Sequence, residues 1–276
     1  MIDFTGQVTL VTGAGRGLGR AYARLLAQHG ATVLMHDAGV DVDGSGADRS
    51  VADAVVAEIR DEGGTAEAAY EDLGDRVGCR ALVHGVRERL GRVDVLVHSA
   101  GLVIRAPLDE IDEERWNRSQ SVNVDAAFWL VQAVLPGMLR RGYGRIVLTT
   151  SGYGLGPADD VNDLAAYCSA KGAQYGLMNG VAWSADAGVL VNAVAPVAAT
   201  RIYSRSVEPD ELTSEQVAPG VVFLASPACD VSGVVLRAAG GRFAAGGYDR
   251  GSDVDFGREP VTLEALAERW PEISRQ

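Results

Sequence analysis

One lysine stands among the 25 basic residues of this 276-residue chain, the rest being arginine, and it falls four positions after a tyrosine, as Tyr167 and Lys171. Four positions make about one helical turn, so on a helix the phenol and the ammonium share a face. Guanidinium stays charged and planar, whereas an ammonium is a compact point charge whose pKa moves with its surroundings and which can enter a proton relay. The pair is therefore a candidate site for moving protons.

A second constellation lies near the start. Thr12-Gly13-Ala14-Gly15-Arg16-Gly17-Leu18-Gly19 follows the apolar run Val8 to Thr12 and leads into an amphipathic stretch through Leu25 and Leu26. Glycines in a strand-turn-helix context let backbone approach a pyrophosphate, and the helix N-terminus offers unpaired N–H groups and partial positive charge. The spacing is TGxxxGxG, so Gly13, Gly17 and Gly19, with Arg16 and Leu18 between them, are candidate cofactor contacts.

Asp37 closes the next apolar run, Thr32 to His36, where a carboxylate can accept both ribose hydroxyls of an adenosine. The same carboxylate repels a 2′-phosphate by about 4 kcal/mol at ~4 Å and an effective dielectric of ~20. NAD is thus expected rather than NADP. Arg16 pulls the other way if it meets a 2′-phosphate, and otherwise stays in solvent.

Asp72-Leu73 falls where the adenine would end. Asp72 either accepts from the exocyclic amine or caps the following helix. Ser99-Ala100-Gly101 ends a fourth apolar run, and small residues there let the backbone pass close to the ribose and nicotinamide.

The elements that must hold these residues alternate along the chain. Strand-like runs are expected at 8–12, 32–36, 65–70, 93–98, 145–149, 190–195 and 234–238, separated by helical periods. Seven strands, each followed by a helix-length stretch, make an α/β fold: a doubly wound, seven-stranded parallel sheet with helices on both faces. Residues 38–48 and 239–257 read as loops, and Thr262 caps a last short helix.

Composition narrows the function classes. A net charge of −12 argues against general binding to nucleic acid or acidic membranes, both of which need an electropositive face. The N-terminus enters the first strand without a charged start and apolar run, and no run of 18 apolar residues occurs, so a cytoplasmic location is expected. Cys79, Cys168 and Cys229 have no paired spacing, and His29, His36, His84 and His98 have no metal-ligand spacing; neither disulfide nor metal is expected.

Taken together, the TGxxxGxG turn, Asp37, Ser99-Ala100-Gly101, Asn123, Ser151 and Tyr167-Cys168-Ser169-Ala170-Lys171 resemble the short-chain dehydrogenase/reductase family over about residues 5 to 238. The resemblance implies a single-domain Rossmann fold, with residues 1–238 as the NAD-binding core and 239–276 as an extension over the substrate cleft. It makes Tyr167 the general acid/base for a substrate oxygen while hydride moves to or from a nicotinamide. Tyr167 and Lys171 also become cofactor contacts, and Lys171 with the positive nicotinamide ring brings the phenol from its free pKa of about 10 toward ~7.

Ser151 would bond the same substrate oxygen, although by itself it reads as a loop cap. Asn123 would anchor a water linking the lysine to solvent, although by itself it reads as a helix distortion. Thr200 fits the position that contacts the nicotinamide carboxamide, next to Pro196.

Three features depart from the family pattern. Ser99, preceded by His98, stands where Asn is usual; Pro196-Val197 replaces Pro-Gly; and the Ser151–Tyr167 stretch is longer than usual, with Asp159, Asp160 and Asp163 in it.

Residues 38–64, Leu212 to Pro219 and Thr262 to Trp270 look like the dehydrogenase unit of multifunctional β-oxidation enzymes, which implies a 3-hydroxyacyl thioester or hydroxysteroid-like substrate. Arg201, Arg205, Arg237, Arg242 and Arg258 could meet the phosphates of a CoA carrier, or simply pair with the abundant carboxylates. A reductase of polyketide or other bulky ketones shares the catalytic residues, and a non-catalytic dinucleotide-binding scaffold would be expected to lack Tyr167 or Lys171. Long apolar helices at 110–139 and 164–187 suggest a homodimer or homotetramer.

Overall fold

Five consecutive buried residues, Val8–Thr12, form the first strand (β1), and such an unbroken apolar run is what a parallel strand covered on both faces requires. The computed structural model describes residues 2–41, 44–156, 162–185, 188–202, 207–208, 210–247, 254–256 and 262–273. Asp159, Asp160, Arg205 and Arg258 lie outside them.

The further strands are β2 (Thr32–His36), β3 (Thr65–Ala69), β4 (Val95–His98), β5 (Gly144–Thr149), β6 (Val189–Val197), β7 (Val235–Ala239) and β8 (Arg242–Gly246). They lie in the order β3-β2-β1-β4-β5-β6-β7-β8, and β1 to β7 are parallel. Among the described residues the sheet thus has eight strands rather than seven. Gly240 and Gly241, both at positive φ, turn the chain straight back after β7. Two successive left-handed residues make the tight hairpin turn that suits strand twist, which a reading of this stretch as a Gly-rich loop passes over.

Helices α1 (Gly17–Gln28), α2 (Ser50–Asp61) and α7 (Ala218–Ala225) cover one face. Their core joins Tyr22, Leu26, Ile59 and Val221 to Val33 and Val97. Helices α3 (Arg76–Leu90), α5 (Ala126–Arg141) and α6 (Ala165–Ser184) cover the other, where Leu82, Leu130, Met138 and Met178 meet Leu96 and Ile146.

The stretch read as one helix from 110 is broken. Asp112 caps α4 (Glu113–Gln120) by accepting from Arg115 N, a π-helical turn spans Ser121–Asp125, and α5 follows. Residues 113–141 are long and apolar enough to cross a membrane by length and composition, but the apolar part is 44% buried inside the fold. Residues Gly246–Gln276 form a second compact unit. Its helix α8 (Leu263–Ile273) is capped by the Thr262 hydroxyl, which accepts from Ala265 N at 3.2 Å.

The sheet divides its two ends between stability and chemistry. At the N-terminal end of β4 the fully buried Asp94 carboxylate accepts from Val8 N (3.0 Å) and from the Arg92 (2.7 Å) and Arg141 (3.5 Å) guanidinium groups. Asp94→Ala leaves the buried Val8 N–H unpaired, and a loss of about 2 kcal/mol is expected in urea unfolding, with kcat per folded molecule unchanged. At the C-terminal end the order reverses between β1 and β4, and a crevice opens where open α/β sheets bind ligands.

Candidate active site

Two adjoining cavities occupy that crevice. The first, about 830 Å³, is walled by the glycine turn. A Cβ on Gly19 would stand 2.1 Å from Gly13 O, and one on Gly13 would stand 2.8 Å from Ala100 N and Cα. Bare backbone is what brings the turn, the start of α1 and the end of β4 together. Arg16 at the N-cap makes no side-chain cap, so the first amides of α1 remain open to an anion. Leu18 lines both cavities.

Asp37 is 9% exposed; its Oδ2 accepts from Gly15 N and its Oδ1 from Gly39 N, both at 2.8 Å. Two amides thus fix the carboxylate at the cavity wall, and each oxygen keeps a lone pair for a ribose hydroxyl. Gly15, absent from the expected contacts, is needed here: its Cβ would meet Asp37 Oδ2 at 2.8 Å.

Asp72 and Leu73 line the same cavity. Asp72 Oδ1 accepts from Gly74 N, while the cap of α3 is Asp75, which accepts from Gly78 N. That removes the helix-cap reading of Asp72.

Residues 38–48, expected only as a loop, contribute Val40, Asp41 and Gly44 to the cavity wall. Val40 O accepts from Arg16 at 3.3 Å and from Arg201 at 2.9 Å. Arg16 is thus exposed at the rim of the cavity with one guanidinium bond to Val40 O. Arg118 of α4 lies beside Gly44. Sequence offered a signal, the glycines and aspartates of this segment, but not its destination.

The second cavity, about 480 Å³, brings Asn123, Ser151, Tyr167 and Lys171 together with Pro196 and Thr200. Ser99, Gly101 and Thr200 border both cavities, so the two meet at the end of β4 and behind β6. Lys171 is only 3% exposed. Its Nζ donates to Thr149 O at 2.8 Å and sits 5.7 Å from the centre of the Tyr167 ring, while Thr150 Oγ1 donates to Lys171 O at 2.7 Å. The end of β5 thus grips α6 from both ends of one residue.

Burial pushes the Lys171 ammonium down to about 7. Burial also raises the Tyr167 phenol above its ordinary value, against lowering by its hydrogen bond with Ser151 and by the charge of Arg105. The expected depression of Tyr167 toward neutrality is thus not a property of the chain alone. Desolvation outweighs the charges near the phenol, and it weakens the lysine's own charge as well.

Ser151 fits its loop-cap reading and also meets the tyrosine. It caps the short turn Gly152–Gly154 by accepting from Tyr153 N at 3.3 Å, and it reaches Tyr167. Asn123 likewise marks a distortion, the π-turn, and also ties it down. Its side-chain amide donates to Leu102 O and Ser119 O at 3.0 Å, and its own carbonyl accepts from Gln174 Nε2 at 2.6 Å. Gln174, three residues after Lys171 and fully buried, was not foreseen.

His98 explains how the strand end is held without the usual Asn. Its Nδ1 lies 2.8 Å from Thr12 Oγ1, which accepts from Ala100 N, and Thr149 Oγ1 donates to His98 O. Burial and the nearby Lys171 push its pKa down to about 3, so it stays neutral.

The comparisons with known proteins agree with this geometry. The short chain dehydrogenase family model matches residues 7–211. The peroxisomal multifunctional enzyme type 2 of Drosophila melanogaster is 36% identical over 99% of this chain, which spans 46% of that relative's length. Rv0148 of Mycobacterium tuberculosis, named for the short-chain dehydrogenase/reductase type, is also 36% identical, covering 97% of this chain and 94% of its own. The crystal structure of a short chain dehydrogenase from Mycobacterium avium superposes with a TM-score of 0.83 at 33% identity, covering 98% of this chain and 94% of that one. Other solved relatives hold NADH (TM-score 0.77, 29% identity) or NADP (0.74, 36%). With the nucleotide crevice, the buried lysine and the tyrosine in one place, the chain belongs to the short-chain dehydrogenase family and is an oxidoreductase acting on CH–OH donors.

Proposed function

We propose that the chain interconverts a secondary alcohol and a ketone with NAD, on a 3-hydroxyacyl thioester or a hydroxysteroid-like substrate. The observation that carries this reading is the buried Lys171 ammonium under the Tyr167 ring, beside a serine that already bonds the phenol. The first cavity suits a nicotinamide dinucleotide by its chemistry: a glycine cradle that any Cβ would fill, open helix amides and a fixed carboxylate. When bound, the dinucleotide supplies the hydride acceptor or donor.

The rest is work for this chain's residues. Tyr167 takes the alcohol proton in oxidation or gives it back in reduction, at the oxygen that Ser151 orients. Lys171 and Tyr167, both desolvated and about one helical turn apart, are placed to handle that proton between them. Asn123, Gln174 and Thr149 hold the lysine's surroundings rigid. The apolar walls, Leu102, Val103, Leu164, Val197 and Ile202, fit an acyl chain or ring system. The multifunctional relative named above, together with the resemblance of residues 38–64, 212–219 and 262–270 to a β-oxidation dehydrogenase unit, supports the hydroxyacyl choice. The proposal is tested by NADH formation from 3-hydroxyacyl thioesters and hydroxysteroids; absence of turnover on both, with dinucleotide bound, contradicts it.

Cofactor choice rests on Asp37. Wild-type chain is expected to bind NAD at least tenfold more tightly than NADP, and Asp37→Ser should shrink that ratio about tenfold or more. Side-by-side titration with the two dinucleotides checks it, and equal affinities in the wild type contradict it.

A homodimer or homotetramer is also proposed. Its support is apolar surface on the helices beside the site: Trp116 and Phe128 are half-exposed, and Trp183 at the end of α6 is 93% exposed. Light scattering at micromolar concentration reads the mass.

A further inference from the structure

The catalytic cavity carries an unusual charge for this chain. Acidic residues outnumber basic ones by 37 to 25, yet no carboxylate is among the described residues that line it. Its ionisable lining besides Tyr153 and Tyr167 consists of three cations, Lys171, Arg105 and Arg237. Lys171 is buried and engaged with Thr149. Arg105 and Arg237 are both exposed, on the solvent side of the cavity.

They come from different elements. Arg105 follows β4 and precedes Ala106, whose N–H is held by Asp163 O at 3.0 Å, while Arg237 sits in the middle of β7, paired in register with Ala195. The side chain of Arg237 has no ion-pair or hydrogen-bond partner among the described residues, unlike the arginines that brace α1 and α2. The same cavity has apolar lining from Leu102, Val103, Leu164 and Val197. A cavity with low-dielectric walls and one sign of charge focuses its field on ligands of the opposite sign. Guanidinium forks match the planar oxygens of carboxylate and phosphate.

We infer that the substrate carries an anionic group, held between Arg105 and Arg237 at the mouth of the cavity, with an apolar segment separating it from the carbinol at Tyr167. This deepens the proposed function and rests on it. The anion is either a carboxylate of the substrate itself or the phosphates of a thioester carrier; the cavity chemistry is the same for both.

Four probes sharing one reacting group separate the possibilities: 3-hydroxybutyrate, its neutral methyl ester, 3-hydroxybutyryl-CoA, and the neutral N-acetylcysteamine thioester. Each is assayed with NAD in wild type, Arg105→Met, Arg237→Met and the double variant. At least one charged probe should exceed its neutral counterpart in kcat/KM by about tenfold or more, through KM. That ratio should fall about tenfold in the double variant and drop with rising salt. Preference within the free-acid pair identifies a carboxylate, and within the thioester pair the carrier phosphates.

Equal kcat/KM for charged and neutral probes overturns the inference while leaving the proposed function standing, as does a ratio that the double variant leaves intact. No turnover of any probe, with NAD binding retained, overturns both the hydroxyacyl reading and this inference with it.

Discussion

Replacing Tyr167 with Phe is expected to lower alcohol oxidation by about a thousandfold or more while dinucleotide affinity stays within about threefold. The phenyl ring keeps the packing of the buried side chain and removes only the hydroxyl that meets Ser151. Ser151 still accepts from Tyr153 N, so no buried group is orphaned by the change. What is lost is the one group placed to exchange a proton with the substrate oxygen, and positioned acid/base groups contribute about 10²- to 10⁴-fold. Steady-state kcat, together with dinucleotide titration by fluorescence, checks both halves. A kcat within tenfold of wild type contradicts the role.

Lys171→Met should lower turnover at pH 7 by about a hundredfold, and Lys171→Arg by at least about tenfold, with NAD still bound. Methionine keeps the volume of the lysine stem and deletes the charge. Arginine keeps the charge but must fit a planar fork into a site that is 3% exposed and shaped around a hydrogen bond to Thr149 O. The loss in the arginine variant is therefore one of geometry rather than of charge.

Stability should separate the effects further. The lysine is held at about 7 in the fold against 10.5 outside it, so between those values the unfolded chain carries a proton that the folded chain lacks. Folding stability then rises with pH in that window. Wild type should gain stability relative to Lys171→Met as pH climbs from about 7 toward 10.5, a trend read from urea midpoints, and parallel midpoints contradict a buried ammonium.

How much of this was legible from sequence depends on whether a signal was local. Periodic apolar runs placed the seven parallel strands within a residue or two, because a strand buried on both faces has no alternative composition. The glycine turn and Asp37 could be read because a tight turn and a strand end are local features. The hairpin to β8 was not read, since two adjacent glycines signal flexibility and a left-handed turn equally well.

Contacts made across the fold were the least legible. Gln174 reaches back to Asn123 over 51 residues, and Val40 receives Arg201 over 161. Nothing about either residue type announces such a partner. The rise of the Tyr167 phenol in the chain without its dinucleotide is illegible for the same reason. Sequence shows a cation one turn away but not the burial that raises the phenol and weakens that cation.

The claim that Tyr167 and Lys171 handle the substrate proton as a pair is tested most directly by the pH dependence of kcat/KM for alcohol oxidation in wild type and Lys171→Met. Oxidation requires the pair to accept a proton, so activity rises as the pair loses its own. In wild type the rise should be centred near 7, where Lys171 titrates. Without the lysine the tyrosine titrates alone, raised by burial from its ordinary value of about 10, and the rise should move above about pH 10. Two superimposed profiles, both rising near neutrality, would contradict the pairing and assign the proton to some other group.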